Sequence, residues 1–150
     1  MSHLEFNLTL SSSTDDLIEL VTDFENLPKY LPDQLQNVKI IEKNDTETIT
    51  EEQIVFSTIL KNKIVQQTRH CKISKNEIKS EIISGPAKGS VIGLIFSNSK
   101  DGTKVDVNVE LKLSLKARFL SPLIQKFYKT VVSGMLYKIN ADAMNHASSV

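Results

Sequence analysis

A single cysteine, Cys71, leaves the chain unable to form an intrachain disulfide. Its fold must rest on packing and hydrogen bonds, and a reducing, cytoplasmic setting is expected. Excess charge of either sign is also missing: 18 basic residues are balanced by 18 acidic ones. A nucleic-acid binder usually carries a strong basic excess, so no nucleic-acid partner is expected. The same balance speaks against a polybasic membrane anchor, although transient contact with a membrane stays compatible with it. No apolar run approaches the roughly 18 residues that a spanning helix needs. Met1 to Leu10 lacks a basic region followed by an apolar stretch, so no signal peptide is expected. There is no tryptophan, no internal repeat and no low-complexity linker. At 150 residues, 40% hydrophobic and 24% charged, the composition is that of an ordinary folded chain, read here as one domain over 1–150.

What is present is mostly period two. Leu4 to Leu10 alternates apolar and polar, the mark of a half-buried strand. Ser13 is a good N-cap, and Asp16 sets a carboxylate near the free N–H groups of a helix start. Leu17, Leu20, Val21 and Phe24 then follow at helical spacing. Pro28 and Pro32 bracket a short helical turn carrying Leu27, Tyr30 and Leu31. Strands are expected near 36–43, 47–57, 62–73, 77–84, 90–98 and 103–116. Asn44-Asp45, Ser74-Lys75-Asn76, Gly85-Pro86 and Lys100-Asp101-Gly102 supply turn chemistry between them. In the last strand Val105, Val107, Val109, Leu111, Leu113 and Leu115 share one face. A long helix over about 120–146 closes the chain, with an apolar stripe wider than a flat surface requires.

Consecutive strands joined by tight turns form an antiparallel sheet. With helices on one side only, the class is α+β: two short helices after the first strand, then a sheet of six to seven strands, then a long C-terminal helix. A sheet this long twists and curls. One helix does not fill the concavity of a strongly curled sheet, so an apolar gap between them is expected, and with it a small-molecule site.

Three stretches carry a resemblance to a known superfamily. They are Asp23-Phe24-Glu25-Asn26-Leu27-Pro28-Lys29-Tyr30-Leu31-Pro32, Ser84-Gly85-Pro86-Ala87-Lys88-Gly89 and Ala117-Arg118-Phe119-Leu120-Ser121-Pro122-Leu123. In this order they resemble the START-like polyketide cyclase and dehydrase group (SRPBCC), in particular its coenzyme-Q-binding branch. The match in element order runs over about residues 3–146. The resemblance implies a helix-grip fold holding a lipid, isoprenoid or polyketide-like ligand in an internal cavity. That branch usually continues its Leu-Pro with Trp-Cys. Here Asp33-Gln34 follow, so the resemblance implies a cavity rather than a quinone specifically. It also implies two alternatives: a cyclase or dehydratase, or an interaction module, acting for example on ribosomes, with a filled interior.

Candidate ligand-binding residues follow from the inward faces. Leu94, Phe96, Val107 and Val109 come from the sheet, and Phe127, Val131 and Met135 from the middle of the last helix. Gly134 beside them leaves room. The strand near 62–73 has two possible settings. If Val65, Cys71 and Ile73 face inward, Gln67 and Arg69 do too, and Arg69 either anchors a polar ligand head or pairs with Glu52 or Glu81. If the parity is shifted by one, Thr68 and His70 face in. Tyr30 is the other candidate for fixing a polar end. Cys71 reads as a small buried apolar residue, and the acidic stretch Asp45, Glu47, Glu51 and Glu52 as a solvated strand edge, with a partner-binding patch as the alternative. His70 is able to change charge near neutral pH, but with no orienting partner visible in the sequence, no catalytic residue is assigned and an enzyme is the less favoured reading. His3 and His146 are expected to be solvated. No metal-ligand spacing and no cofactor motif is found, and Gly85 to Gly89 lacks the Gly-Lys-Ser/Thr ending of a phosphate loop. The oligomeric state is left open.

Overall fold

The computed structural model describes residues 2–55, 63–115 and 118–148, with side chains up to Asn145. The chain begins with strand β1 (Ser2–Leu10), helix α1 (Thr14–Val21) and a 3₁₀ turn over Phe24–Lys29. Six strands follow: β2 (Leu35–Lys43), β3 (Glu47–Val55), β4 (Lys63–Ser74), β5 (Glu77–Ile82), β6 (Val91–Ser99) and β7 (Gly102–Leu111). A second 3₁₀ turn leads into helix α2 (Ser121–Ser148), 28 residues long. The seven strands form one antiparallel sheet in the order β1-β7-β6-β5-β4-β3-β2. This is the expected α+β helix-grip architecture, with α2 lying across the sheet. No described helix is long and apolar enough to cross a membrane.

Local chemistry explains the boundaries. Ser13 Oγ accepts from the Asp16 N–H at 3.2 Å, which satisfies one free donor at the start of α1. The 3₁₀ turn starts earlier than the proline bracket suggests, because the Asn26 side-chain amide donates to Asp23 Oδ2 at 2.7 Å and pins its first residues. The β2–β3 turn is held by Asn44 Oδ1, which accepts from the Thr46 and Glu47 N–H groups. At Gly102 the backbone takes φ +143°, and an added Cβ would meet the Leu10 carbonyl and Ser11 backbone where β1 ends.

The last strand is shorter than its alternation suggests. Its pairing stops at Leu111, because Ser90 Oγ takes the Lys112 N–H and the Ser114 N–H turns to Pro86 O. Leu113 still packs at the margin of the core, but Leu115 is 80% exposed and leaves the inward row. The expected strand ends at 56–57 and 62, residue 116, Ala117 of the helix junction and the His146 side chain lie outside the described residues.

The core is off-centre. Leu17, Ile18 and Val21 of α1 join Ile124, Leu136 and Ile139 of α2 over Phe96, Val105, Val107, Val109 and Leu111. Helix α2 runs close to β1 and α1, and α1 reaches β6. Two helices thus cover the β1-β7-β6 half of the sheet. The cavity lies over the rest of the sheet, from the inner face of β6 to β3.

Candidate ligand-binding cavity

A cavity of about 190 Å³ lies between the middle of α2 and strands β3 to β6, closed on one side by the segment from Val21 to Val38. Its border is almost wholly apolar. Leu27, Leu35, Ile54, Ile92 and Leu94 form the walls, and Phe127, Val131, Val132 and Met135 the helix side. Most of the polar side chains on it lie on a single wall: Thr50 and Glu52 of β3, Gln66, Thr68 and His70 of β4, and Ser80 of β5. The exceptions are Gln34, just before β2, and the Tyr128 phenol of α2.

The antiparallel register brings these six side chains together. Glu52 lies opposite Gln66, Thr50 opposite Thr68, and His70 opposite Ser80. Residues directly opposite on one face are close enough for their side chains to meet. The Glu52 carboxylate collects three donors. Thr50 gives its hydroxyl proton to Oε2 at 2.8 Å, the Gln66 amide donates to Oε1 at 3.1 Å, and Thr68 Oγ1 donates to the same oxygen. His70 Nε2 lies 2.9 Å from Thr50 Oγ1, and its Nδ1 lies 2.7 Å from Ser80 Oγ. Thr50 has spent its one proton on Glu52, so it accepts from Nε2–H, and Nδ1 accepts from Ser80. The Phe24 ring stacks on the imidazole with centroids 4.1 Å apart and planes 18° apart, which fixes its orientation.

Burial sets the charge states. It pulls the His70 pKa down to about 4, so the ring is neutral at neutral pH. It pushes the Glu52 carboxyl above the ordinary carboxylate value, while the hydrogen bonds from Thr68, Gln66 and Thr50 oppose that shift. The Tyr128 phenol, also on the cavity border, is pushed upward by burial first and by Glu52 second.

The structure selects the shifted parity for β4. Gln67 and Arg69 point to the outer face, along with Val65 and Ile73, which are 52% and 54% exposed. An unpaired guanidinium inside an apolar cavity would be costly. Outside, Arg69 Nη1 meets Glu81 Oε1 at 3.2 Å and its Nε lies 3.9 Å from Glu47. Gln67 turns to Glu51. Cys71 shares this outer face, half-exposed beside Glu47, and is not a buried apolar residue. Glu52 leaves the solvated acidic stretch for the interior, because β3 lies between β2 and β4 and is not an edge.

Leu94, Phe127, Val131 and Met135 border the cavity as the sequence reading placed them. Phe96, Val107 and Val109 do not. They are buried in the half of the core that α1 fills. Tyr30 is buried too, but its hydroxyl donates to Asp142 Oδ2 at 2.6 Å and so ties the 3₁₀ segment to α2 instead of facing a ligand. Gly134 faces Leu31, not the cavity. Thr50, Glu52, Gln66 and Ser80 went unnoticed as site residues. The available signal was that β3 and β4 both carry polar side chains at alternate positions, so two neighbouring polar rows satisfy one another when they face the same way.

A family model described as polyketide cyclase/dehydrase and lipid transport matches residues 12–139. The chain belongs to this family. Solved structures agree on the fold at low identity. A protein of Thermus thermophilus superposes with a TM-score of 0.82 at 15% identity, covering 97% of this chain and 99% of that one. The Zhui aromatase/cyclase of a Streptomyces species gives 0.84 at 10% identity, covering 97% and 95%. A START superfamily protein from Mycobacterium smegmatis gives 0.76 at 13% identity, covering 95% and 97%. No curated protein matches the sequence. Family membership accounts for the helix-grip fold.

Proposed function

We propose that this member of the family binds and carries a small, mainly apolar molecule in the cavity under α2. One observation carries the reading: an apolar cavity of about 190 Å³ whose polar side chains lie mostly on one wall. A dry cavity of roughly 150 Å³ already accepts benzene, so this one suits a ligand of one or two rings, or a short chain. Each 100 Å² of apolar ligand surface withdrawn from water contributes about 2.5 kcal/mol before binding costs. Met135 gives the helix side a flexible, polarisable surface that adapts to ligand shape. Calorimetric titration with naphthalene tests the reading, and native mass spectrometry after incubation with a lipid mixture extends it. Saturable binding that Val131→Phe removes supports a carrier. No binding of either kind overturns it.

A second reading, a cyclase or dehydratase, is favoured by His70 and Glu52 standing on the cavity wall. A neutral imidazole and a carboxyl of raised pKa are suited to moving protons. It ranks second because both groups are already hydrogen-bonded to each other's neighbours. Turnover of a polyketide-like substrate that Glu52→Gln and His70→Gln each abolish, with binding retained, would bring it forward.

A further inference from the structure

The polar wall accepts hydrogen bonds much more than it donates them. Thr50 and Thr68 both spend their hydroxyl protons on Glu52, and one Gln66 N–H goes there too. With the tautomer fixed above, His70 gives its ring proton to Thr50 and Ser80 gives its hydroxyl proton to His70. Only the second amide N–H of Gln66 is left over as a donor among these six side chains. The acceptors are not used up. Gln66 is 96% buried by its 4% exposure, and its Oε1 finds no hydrogen-bond partner among the described residues. Its orientation is not interchangeable, because the amide nitrogen is the end that meets Glu52. A buried acceptor left without a donor is costly, and Gln66 borders the cavity, so its Oε1 is the acceptor that a donor group on a ligand would satisfy. Lysine and arginine are absent from the described cavity border. The one arginine on β4, Arg69, faces outward into Glu81 and Glu47.

We propose that the cavity selects an apolar molecule bearing a neutral hydroxyl group, a phenol or alcohol, that donates to Gln66 Oε1, and that it rejects the corresponding carboxylate. The proposal rests on the carrier reading and deepens it. A carboxylate would enter a site with no cation, beside Glu52 and facing an acceptor. A plain hydrocarbon would fit but leave Gln66 unpaired. Sites built around a ligand hydroxyl discriminate against analogues that lack it for this reason.

Three probes of one shape separate the ideas: 2-naphthol, naphthalene and 2-naphthoate, titrated at pH 7 into the full chain by calorimetry. The expected order is naphthol first, naphthalene weaker by about tenfold, and naphthoate weaker than naphthalene. Gln66→Leu removes the acceptor and should bring naphthol and naphthalene together. Glu52→Gln keeps the shape and removes the carboxylate, and should narrow the gap between naphthalene and naphthoate. If all three probes bind the unaltered protein equally, or naphthoate binds best, the selectivity proposal is overturned and the carrier reading stands. If none binds, both fall. The wild-type order decides the matter even if a variant does not fold.

Discussion

Acidification should weaken this fold through His70. Phe24 stacks on the ring, Ser80 and Thr50 occupy its two nitrogens, and Glu52 lies one hydroxyl further on. Burial lowers the pKa from 6.5 to about 4, so the unfolded chain takes up this proton before the native one does. The contribution of the neutral ring to stability is therefore complete above about pH 6.5 and is lost as the pH falls toward 4. A gap of that size corresponds to about 3 kcal/mol in full, of which about 2 kcal/mol disappears between pH 7 and pH 5. Glu52 works in the opposite direction. Its raised pKa gives stability that is present below the ordinary carboxylate value and lost as the pH rises. Comparing the protein with His70→Gln at each pH removes most of that opposing effect, since Glu52 is common to both. Urea unfolding from pH 8 to pH 5 should show the advantage of the unaltered protein over the variant shrinking by about 2 kcal/mol. A difference that stays constant over this range, or an imidazole that titrates near 6.5 by NMR, would refute the reasoning.

Val131→Phe should place a ring in the cavity, remove naphthalene binding and raise stability by about 1 kcal/mol in urea unfolding. Gly102→Ala should lower stability by roughly 3 kcal/mol, because φ +143° suits only glycine and the new Cβ meets the end of β1. Tyr30→Phe removes the hydrogen bond to Asp142 and should cost about 1–3 kcal/mol while leaving naphthalene affinity unchanged. Arg69→Ala should cost less than about 1 kcal/mol, since its ion pairs with Glu81 and Glu47 are well exposed. It should leave the calorimetric affinity for naphthalene unaltered.

The order of strands and the closing helix could be read from the sequence, because period two, turn residues and a broad helical stripe are local signals. The cavity's helix side was readable for the same reason: Phe127, Val131 and Met135 occupy the expected stripe. The sheet side was harder. Alternation locates an inward face by assuming that the apolar one is buried. In β4 that assumption inverts, with Val65 and Ile73 in water and Gln66, Thr68 and His70 inside. Three polar residues on one strand are buried cheaply only when a neighbouring strand supplies partners in register, and Thr50 and Glu52 do so. Pairing between strands is not a local signal. The places of Phe96, Val107 and Val109 were missed for a related reason: α1 comes down on that half of the sheet, and nothing in the α1 sequence says which strands it will cover.

The sheet order has a consequence for how the molecule is made. Strand β1 finds its hydrogen-bonding partner in β7, with Leu4 opposite Val109. A ribosome adding roughly 5–20 residues per second must work for several seconds or more after releasing the first strand before its mate emerges. Throughout that wait Leu4, Phe6 and Leu8 have no sheet to join. Distant pairing of this kind slows folding, and the newborn chain is most open to aggregation or chaperone capture at its N-terminal end.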